Sequence, residues 1–341
     1  MTSLATRQFG QTGYEISRVG AGSWAIGGAE WKYNWGPQDD ATSVRALRHA
    51  VELGVNWIDT AAAYGRGHAE EVVGRAIAGI PAAERPYIFT KCGLRWSDAD
   101  PYGEPVSSLR PDSVRQECDS SLRRLGVDHI DLFQFHWPDG GNVEVEDSWG
   151  EMGRLIEQGK VRAGGVSNFD VALLNRCEKI RHVDSLQSPF SLIDRRAGAD
   201  LAPWCAENGT GLICYSPLQA GLLTDTFSAE RLELMDSRDW RRWHIAFPHF
   251  TSPALQTNLA LRDRLRPIAA RHASNVASVA LAWVLSWPGV TGAIVGARSP
   301  AQLDDWTAAG QLQLTGADLD EIAAAVRDTG AGSGPDRPPA N

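Results

Sequence analysis

The chain has 341 residues, 43% of them hydrophobic, and a formal net charge of -9. That is ample for a large buried core. The acidic balance and the lack of any Lys/Arg block argue against nucleic acid and acidic membrane surfaces as partners. No apolar run is long enough to span a bilayer, and the N-terminus lacks the apolar core of a secretory signal. Five scattered cysteines without a C-x-x-C pair predict reduced thiols, a cytoplasmic location and no structural zinc.

Residues 6–17 predict a hairpin. Short apolar segments then alternate with amphipathic ones. "RVGAGSW" (18–24) reads as a strand, and "DDATSVRALRHAVELG" (39–54) as a helix with acids at its start and Gly54 at its end. "VNWIDT" and "HAEEVVGRAIAG" form the second pair. "PYIFTK" (86–91) and "RPDSVRQECDSSLRRLG" (110–126) form the third, with Pro111 suited to a first helical turn. "HIDLFQFH" (129–136), "KVRAGGVSN" (160–168), "SLQSPF" (185–190), "GLICYSPL" (211–218) and "GVTGAIVG" (289–296) supply the remaining strands.

Eight strand–helix units predict an α/β fold, a single (β/α)8 TIM barrel, because right-handed crossovers return each strand beside the last. An open doubly wound sheet fits less well, since the first strand is not followed by G-x-G-x-x-G. The additions are the N-terminal hairpin, extra helices within 257–287 and a long loop after strand 7, over 219–255. The barrel is expected over residues 1–328. The Gly- and Pro-rich tail, 329–341, is expected to be disordered.

Active sites of such barrels lie where strands end. Those exits carry Asp59, Lys91, His136, Ser167 with Asn168, Gln187, Tyr215, and Gly296 to Arg298. A buried lysine needs an anion, which Asp59 can supply. Lys91 beside Tyr64 is expected to stabilise the phenolate and lower the tyrosine's pKa. His136 can donate to the same substrate oxygen. This set suits protonating a carbonyl or deprotonating an alcohol, and a redox step then needs a cofactor that carries hydride. A metal hydrolase would want clustered His and carboxylate ligands, and only His136 stands at these exits, so no metal site is expected.

These residues resemble the aldo-keto reductase superfamily over almost the whole chain. "DTAAAYGRGHAEEVVGRAI" is similar to its first signature and "VRQECDSSLRRLGVDHIDLFQFHWPD" to its second. "KVRAGGVSNF", "YSPLQAGLLT" and "GAIVGARSPAQLDDW" resemble its cofactor segments. The resemblance implies Tyr64 as general acid/base, Lys91 and Asp59 tuning it, and His136 orienting the carbonyl. It implies Ser167, Asn168 and Gln187 on the nicotinamide carboxamide, with Tyr215 stacked on the ring and Trp24 close by. Ser216, Leu218, Gly221 and Leu222 would lie along the pyrophosphate, and Gly296, Arg298, Gln302 and Asp305 around the adenosine. The chain has Asp305-Trp306 where the family carries Glu-Asn, so Trp306 offers a stacking face in place of an amide. Arg298 suits a ribose phosphate, which favours NADPH over NADH. "WGPQDD" (35–40) resembles a bacterial branch with inositol- and sugar-linked stress reductases.

Local alternatives stand beside these assignments. Asp59 suits a turn cap, and Ser167-Asn168 suits a helix start. Cys92 reads as a small wall residue. Of thirteen tryptophans, Trp57, Trp283 and Trp287 lie in apolar segments and read as core. Trp24, Trp31, Trp35, Trp96, Trp137, Trp240 and Trp243 lie on loops and read either as pins that hold those loops or as a wall, with Trp31, Trp35, Trp96 and Trp137 its substrate contacts, for a sugar, inositol-derived or aromatic carbonyl or alcohol. The stretch 236–250 reads as a lid, or as an anion site through Arg238, Arg241 or Arg242. The expected activity is reversible reduction of an aldehyde or ketone, and a homo-oligomer is compatible with it. The alternative is a slow, cofactor-sensing subunit that regulates a partner protein.

Overall fold

Alternating apolar and small residues close eight parallel strands into a barrel. The computed structural model describes residues 4–97, 99–100, 102–141, 143–243 and 248–339. A hairpin of β1 (Thr6–Gln8) and β2 (Glu15–Ser17) precedes the barrel. The barrel strands are β3 (Val19–Gly22), β4 (Trp57–Asp59) and β5 (Tyr87–Cys92), then, after a small ribbon of β6 (Leu94–Arg95) and β7 (Val106–Ser107), β8 (Ile130–Phe135), β9 (Val161–Ser167), β10 (Ser185–Pro189), β11 (Gly211–Tyr215) and β12 (Val290–Gly296). Their order is β3-β4-β5-β8-β9-β10-β11-β12, with β12 returning to β3, as the sequence predicts for a (β/α)8 barrel.

Helices connect consecutive strands: α1 (Asp40–Glu52), α2 (His68–Ile77), α3 (Pro111–Leu125), α4 (Val145–Glu157), α5 (Val171–Glu178) and α6 (Leu201–Asn208). The last connection holds α7 (Ala229–Glu233), α8 (Ala254–Arg264), α9 (Arg266–Arg271) and α10 (Val276–Leu285), and α11 (Pro300–Thr307) and α12 (Gly316–Thr329) follow β12. Caps sit where the sequence places them. Asp39 accepts from Thr42 N, and Asp170 caps α5 by accepting from Leu173 N, so Ser167 and Asn168 are not needed as its cap. Among the described residues no single helix is long and apolar enough to cross a membrane.

Period-two alternation builds the interior in layers. Trp57, Phe89, Leu132, Ala163, Ile213 and Ile294 form an apolar layer, closed below by Phe9 and Ile16 of the hairpin. Phe9 stacks on Phe89 at 5.4 Å and Tyr14 on Tyr87 at 4.3 Å. Gly20 makes room for the indole of Trp57, because a Cβ there would come within 2.2 Å of the ring. One residue pair further along the strands, the inward positions turn polar.

The long connection expected over 219–255 is present, with Ser228 capping α7 and Trp240 buried at 2% exposure; residues 244–247 lie outside the described ones. One expectation changes. Residues 330–339 of the tail expected to be disordered are packed instead, and residues 340 and 341 lie outside the described ones. Ala331 is buried, Ser333 forms a parallel bridge with Asp194, and Arg337 pairs with Asp320 at 2.8 Å. Its glycines permit backbone-to-backbone approach that composition alone does not reveal.

Glu70, read from sequence only as part of a helix start, is fully buried. It accepts from Thr90 Oγ1 at 2.5 Å and from Arg124 Nε at 2.7 Å, tying α2 to β5 and α3. Removing one member of a buried pair strands the other charge. Arg124→Met is therefore expected to lower the unfolding free energy by about 3 kcal/mol in urea titrations. Arg110→Met, whose pairing with Asp112 is exposed, should leave the unfolding free energy nearly unchanged.

Candidate active site

The polar layer begins with β4, which ends on Asp59, and β5, which carries Lys91 two residues beyond Phe89 and so on the same inner face. Lys91 is 0% exposed and Asp59 2%. Lys91 Nζ donates to Asp59 Oδ1 at 2.6 Å, to the Thr60 carbonyl at 2.9 Å and to Tyr64 Oη at 3.4 Å. All three ammonium donors are thus satisfied. Burial lowers the Lys91 pKa, and Asp59 opposes that shift.

Tyr64 reaches this pair from a turn after β4. Gly65 (φ 59°), Arg66 (φ 58°) and Gly67 (φ 101°) are left-handed there, and a Cβ on Gly65 would lie 2.0 Å from the Gly27 carbonyl. The expectation of a depressed tyrosine pKa does not hold in this site. Burial, with Asp59 and Tyr215, pushes the phenol well above its ordinary range. Asp59 sits close enough to Lys91 to cancel most of the field that would otherwise favour phenolate.

His136 follows β8 and lies edge-on to Tyr64, with ring centroids 5.6 Å apart. Burial and the Lys91 cation hold its pKa well below the ordinary imidazole value, so it is neutral. Its Nδ1 is buried and has no hydrogen-bond partner among the described residues.

Gln187 links this group to the next strands. Its Nε2 donates to Asp59 Oδ2 at 2.8 Å and to Gln134 Oε1 at 3.2 Å. Both amide hydrogens are engaged, so what Gln187 can offer a ligand is its carbonyl oxygen. Gln134, fully buried, was missed from sequence; its signal was a polar residue two before His136, at inward parity. Asn168, at φ 63°, donates to the His136 carbonyl at 2.9 Å and to Ser167 Oγ at 3.1 Å, and accepts from Tyr215 Oη at 2.8 Å. It braces the site more than it faces it.

The residues assigned to the pyrophosphate lie on one turn after β11. Ser216 (φ 52°), Gln219 (φ 46°), Ala220 (φ 51°) and Gly221 (φ 101°) are left-handed, Leu222 is buried, and Leu218 packs on the core. Buried polar side chains at the mouth fit a nicotinamide cofactor, while in this turn Gln219 N, Gly221 N and Leu222 N already donate to the carbonyls of Ser216, Leu218 and Gln219. At the β12 exit, Gly296 and Gln302 are exposed, and Gln302 Oε1 accepts from Arg298 N at 2.7 Å. The Arg298 guanidinium donates to Gln38 Oε1 at 2.8 Å, to the Trp35 carbonyl at 3.0 Å and to the Pro37 carbonyl. The side chain of Asp305 lies outside the described part. Trp306 is 3% exposed and belongs to the core, so the stacking role expected of it is corrected.

The loop tryptophans form a wall around Tyr64. Trp24 and Trp31 are its ring neighbours, at 6.4 and 6.3 Å. Behind them Trp35 packs edge-on to Trp24 and Trp96 edge-on to Trp31. Trp240, also expected among the loop tryptophans, stacks on Trp24 at 5.2 Å. Trp137 stands apart, 45% exposed. The cations proposed for an anion are largely occupied: Arg238 pairs with Asp236, Arg241 with Asp239, and Arg242 donates to the Met235 carbonyl. Cys92 is buried and its thiol is pushed up by burial, which fits a wall residue.

The chain matches known proteins along most of its length. The sequence model of the Aldo/keto reductase family covers residues 18–327. The aldo-keto reductase YhdN of Bacillus subtilis (strain 168) is 34% identical over 294 residues, spanning 86% of this chain and 85% of that one. The NADH-specific methylglyoxal reductase of Escherichia coli (strain K12) is 30% identical over 318 residues, spanning 91% and 94%. The structure of the glycerol dehydrogenase AKR11B4 from Gluconobacter oxydans superposes with a TM-score of 0.85 at 33% identity, covering 96% of this chain and 97% of that one. With its closed barrel, its strand-exit residues and these relatives, the chain belongs to the aldo/keto reductase family and is an oxidoreductase of small-molecule carbonyl groups.

Proposed function

We propose that the protein reduces an aldehyde or ketone to an alcohol with NADPH, and that Tyr64 is the proton donor. The observation that carries this reading is the Lys91 contact: one ammonium touches both the Asp59 carboxylate and the Tyr64 hydroxyl inside the barrel mouth. A bound reduced nicotinamide would supply the hydride. Tyr64, held as a neutral phenol, gives its proton to the carbonyl oxygen as that oxygen gains charge. Lys91 then faces the developing phenolate. Neutral His136 offers an N–H to the substrate oxygen. Ser167, Gln187 and Tyr215 hold the nicotinamide end, and the aromatic wall keeps water from the reacting atoms.

The wall also bears on substrate class. Trp24 and Trp31 present apolar faces, while the nearby cation Lys32 already pairs with Glu104 at 2.6 Å. A neutral substrate fits better than a carboxylate: a sugar-like, inositol-derived or aromatic carbonyl.

Three outcomes follow for solution work. Tyr64→Phe should cut kcat by on the order of a hundredfold or more while cofactor affinity holds. Binding without turnover in the wild type, across aldehydes, ketones and alcohols, would favour a sensing role instead. Arg298 is the residue to test for cofactor choice, since three of its five N–H groups are engaged among the described residues. Arg298→Met should weaken NADPH by about tenfold and NADH little; equal loss of both would place the role of Arg298 in holding residues 35–38.

The pH dependence follows from His136. Its folded pKa is depressed, so the unfolded chain takes up a proton that the folded chain does not. Its contribution favours folding above the unfolded pKa, about 6.5, and is lost as pH falls through the folded one. His136→Gln should remove that acid-side decline in a comparison of unfolding midpoints against pH.

A further inference from the structure

The packed C-terminal segment meets the turn that follows β10. Ser333 N donates to the Ile193 carbonyl at 3.0 Å, and Arg195 N donates to the Ser333 carbonyl at 2.8 Å. Arg195, 4% exposed, adds side-chain donors to the carbonyls of Leu192, Ala331 and Gly334. Gly332 is left-handed, and a Cβ on it would lie 1.8 Å from the Ile193 carbonyl. Only a bare backbone fits against this turn.

The other side of the same turn faces the loop after β11. Ser191 is fully buried. Its Oγ accepts from Ile193 N at 3.1 Å and Asp194 N at 2.9 Å, and donates to Gln219 Oε1 at 2.9 Å. Every hydrogen-bonding capacity of that hydroxyl is used. Gln219 sits within the run where Ser216, Ala220 and Gln219 itself all hold positive φ. Such conformations cost free energy for non-glycine residues and persist only where the surroundings over-determine them. The surroundings here are a two-step brace: the tail fixes residues 191–195, and Ser191 fixes Gln219.

We propose that the C-terminal segment 330–339 is a positioning element for cofactor binding, acting through Ser191 and Gln219 on the loop 216–222. The proposal rests on the reading that this loop holds the cofactor pyrophosphate. It makes the tail part of the binding apparatus without any contact between tail and ligand. Loss of the brace lets the left-handed run relax, so affinity falls while the tetrad of Asp59, Tyr64, Lys91 and His136 keeps its own contacts.

The test uses three proteins: the full chain, a chain ending at Thr329, and full-length Ser191→Ala. Cofactor Kd is measured for NADPH and NADH by quenching of tryptophan fluorescence, and KM and kcat are taken at saturating carbonyl substrate. Both variants are expected to raise the cofactor Kd and KM by about tenfold, with kcat at saturating cofactor within about twofold of wild type. The double variant is expected to bind no more weakly than either single one, since both cut the same chain of contacts. Unchanged Kd in both variants, or effects that multiply in the double variant, would overturn the proposal. If the shortened chain does not fold by circular dichroism, full-length Gly332→Val takes its place with the same expectations. A wild type that binds neither cofactor would remove the pyrophosphate reading itself and the proposal with it. A wild type that binds, beside variants that bind as well, removes the proposal alone.

Discussion

The site depends on one interaction, the pairing of Lys91 with Asp59 inside the barrel. Either charge alone would be strongly disfavoured there. Together they are tolerated because the pair is saturated with hydrogen bonds. Lys91 donates to Asp59, Thr60 and Tyr64, and the second carboxylate oxygen accepts from Gln187. Because the pair is close to neutral as a unit, it does not drive Tyr64 to phenolate. It leaves a phenol next to an ammonium, which suits giving a proton away more than taking one.

The layers of the barrel make that pair possible. Below it, Trp57, Phe89 and the hairpin residues Phe9 and Ile16 exclude water. Above it, Trp24, Trp31 and His136 surround Tyr64. Gln134 and Gln187 join β8 and β10 to the pair, so several strands share one polar network. Networks of this kind fix geometry, because a partly satisfied one is worse than none.

Much of this was legible from the chain. The eight alternations gave the barrel, and the strand exits collected Asp59, Lys91, His136 and Gln187 at one end of it. What escaped depends on distant partners. Gln134 lies inside a strand that reads as apolar, and only its spacing from His136 marks it. Glu70 pairs with Arg124, far along the chain, and nothing local shows that its carboxylate is buried. The sign of the shift on Tyr64 is set first by its burial and then by Asp59 and Tyr215, which depend on tertiary packing and not on the local sequence. The tail has the composition of a disordered segment, yet its glycines serve close packing. Trp306 looked like a ligand contact because the family motif differs there, and proved to be core.

Strand β5 carries opposite demands on its two faces. Thr90 points out to the carboxylate of Glu70, and Lys91 points in to that of Asp59. A slip of one residue in its pairing would turn the lysine toward the helices and leave a hydroxyl in the barrel mouth, stranding two carboxylates at once. Alternative alignments of this strand are therefore penalised electrostatically as well as by lost apolar contacts. The charges that serve chemistry also act as a registration mark for assembling the barrel.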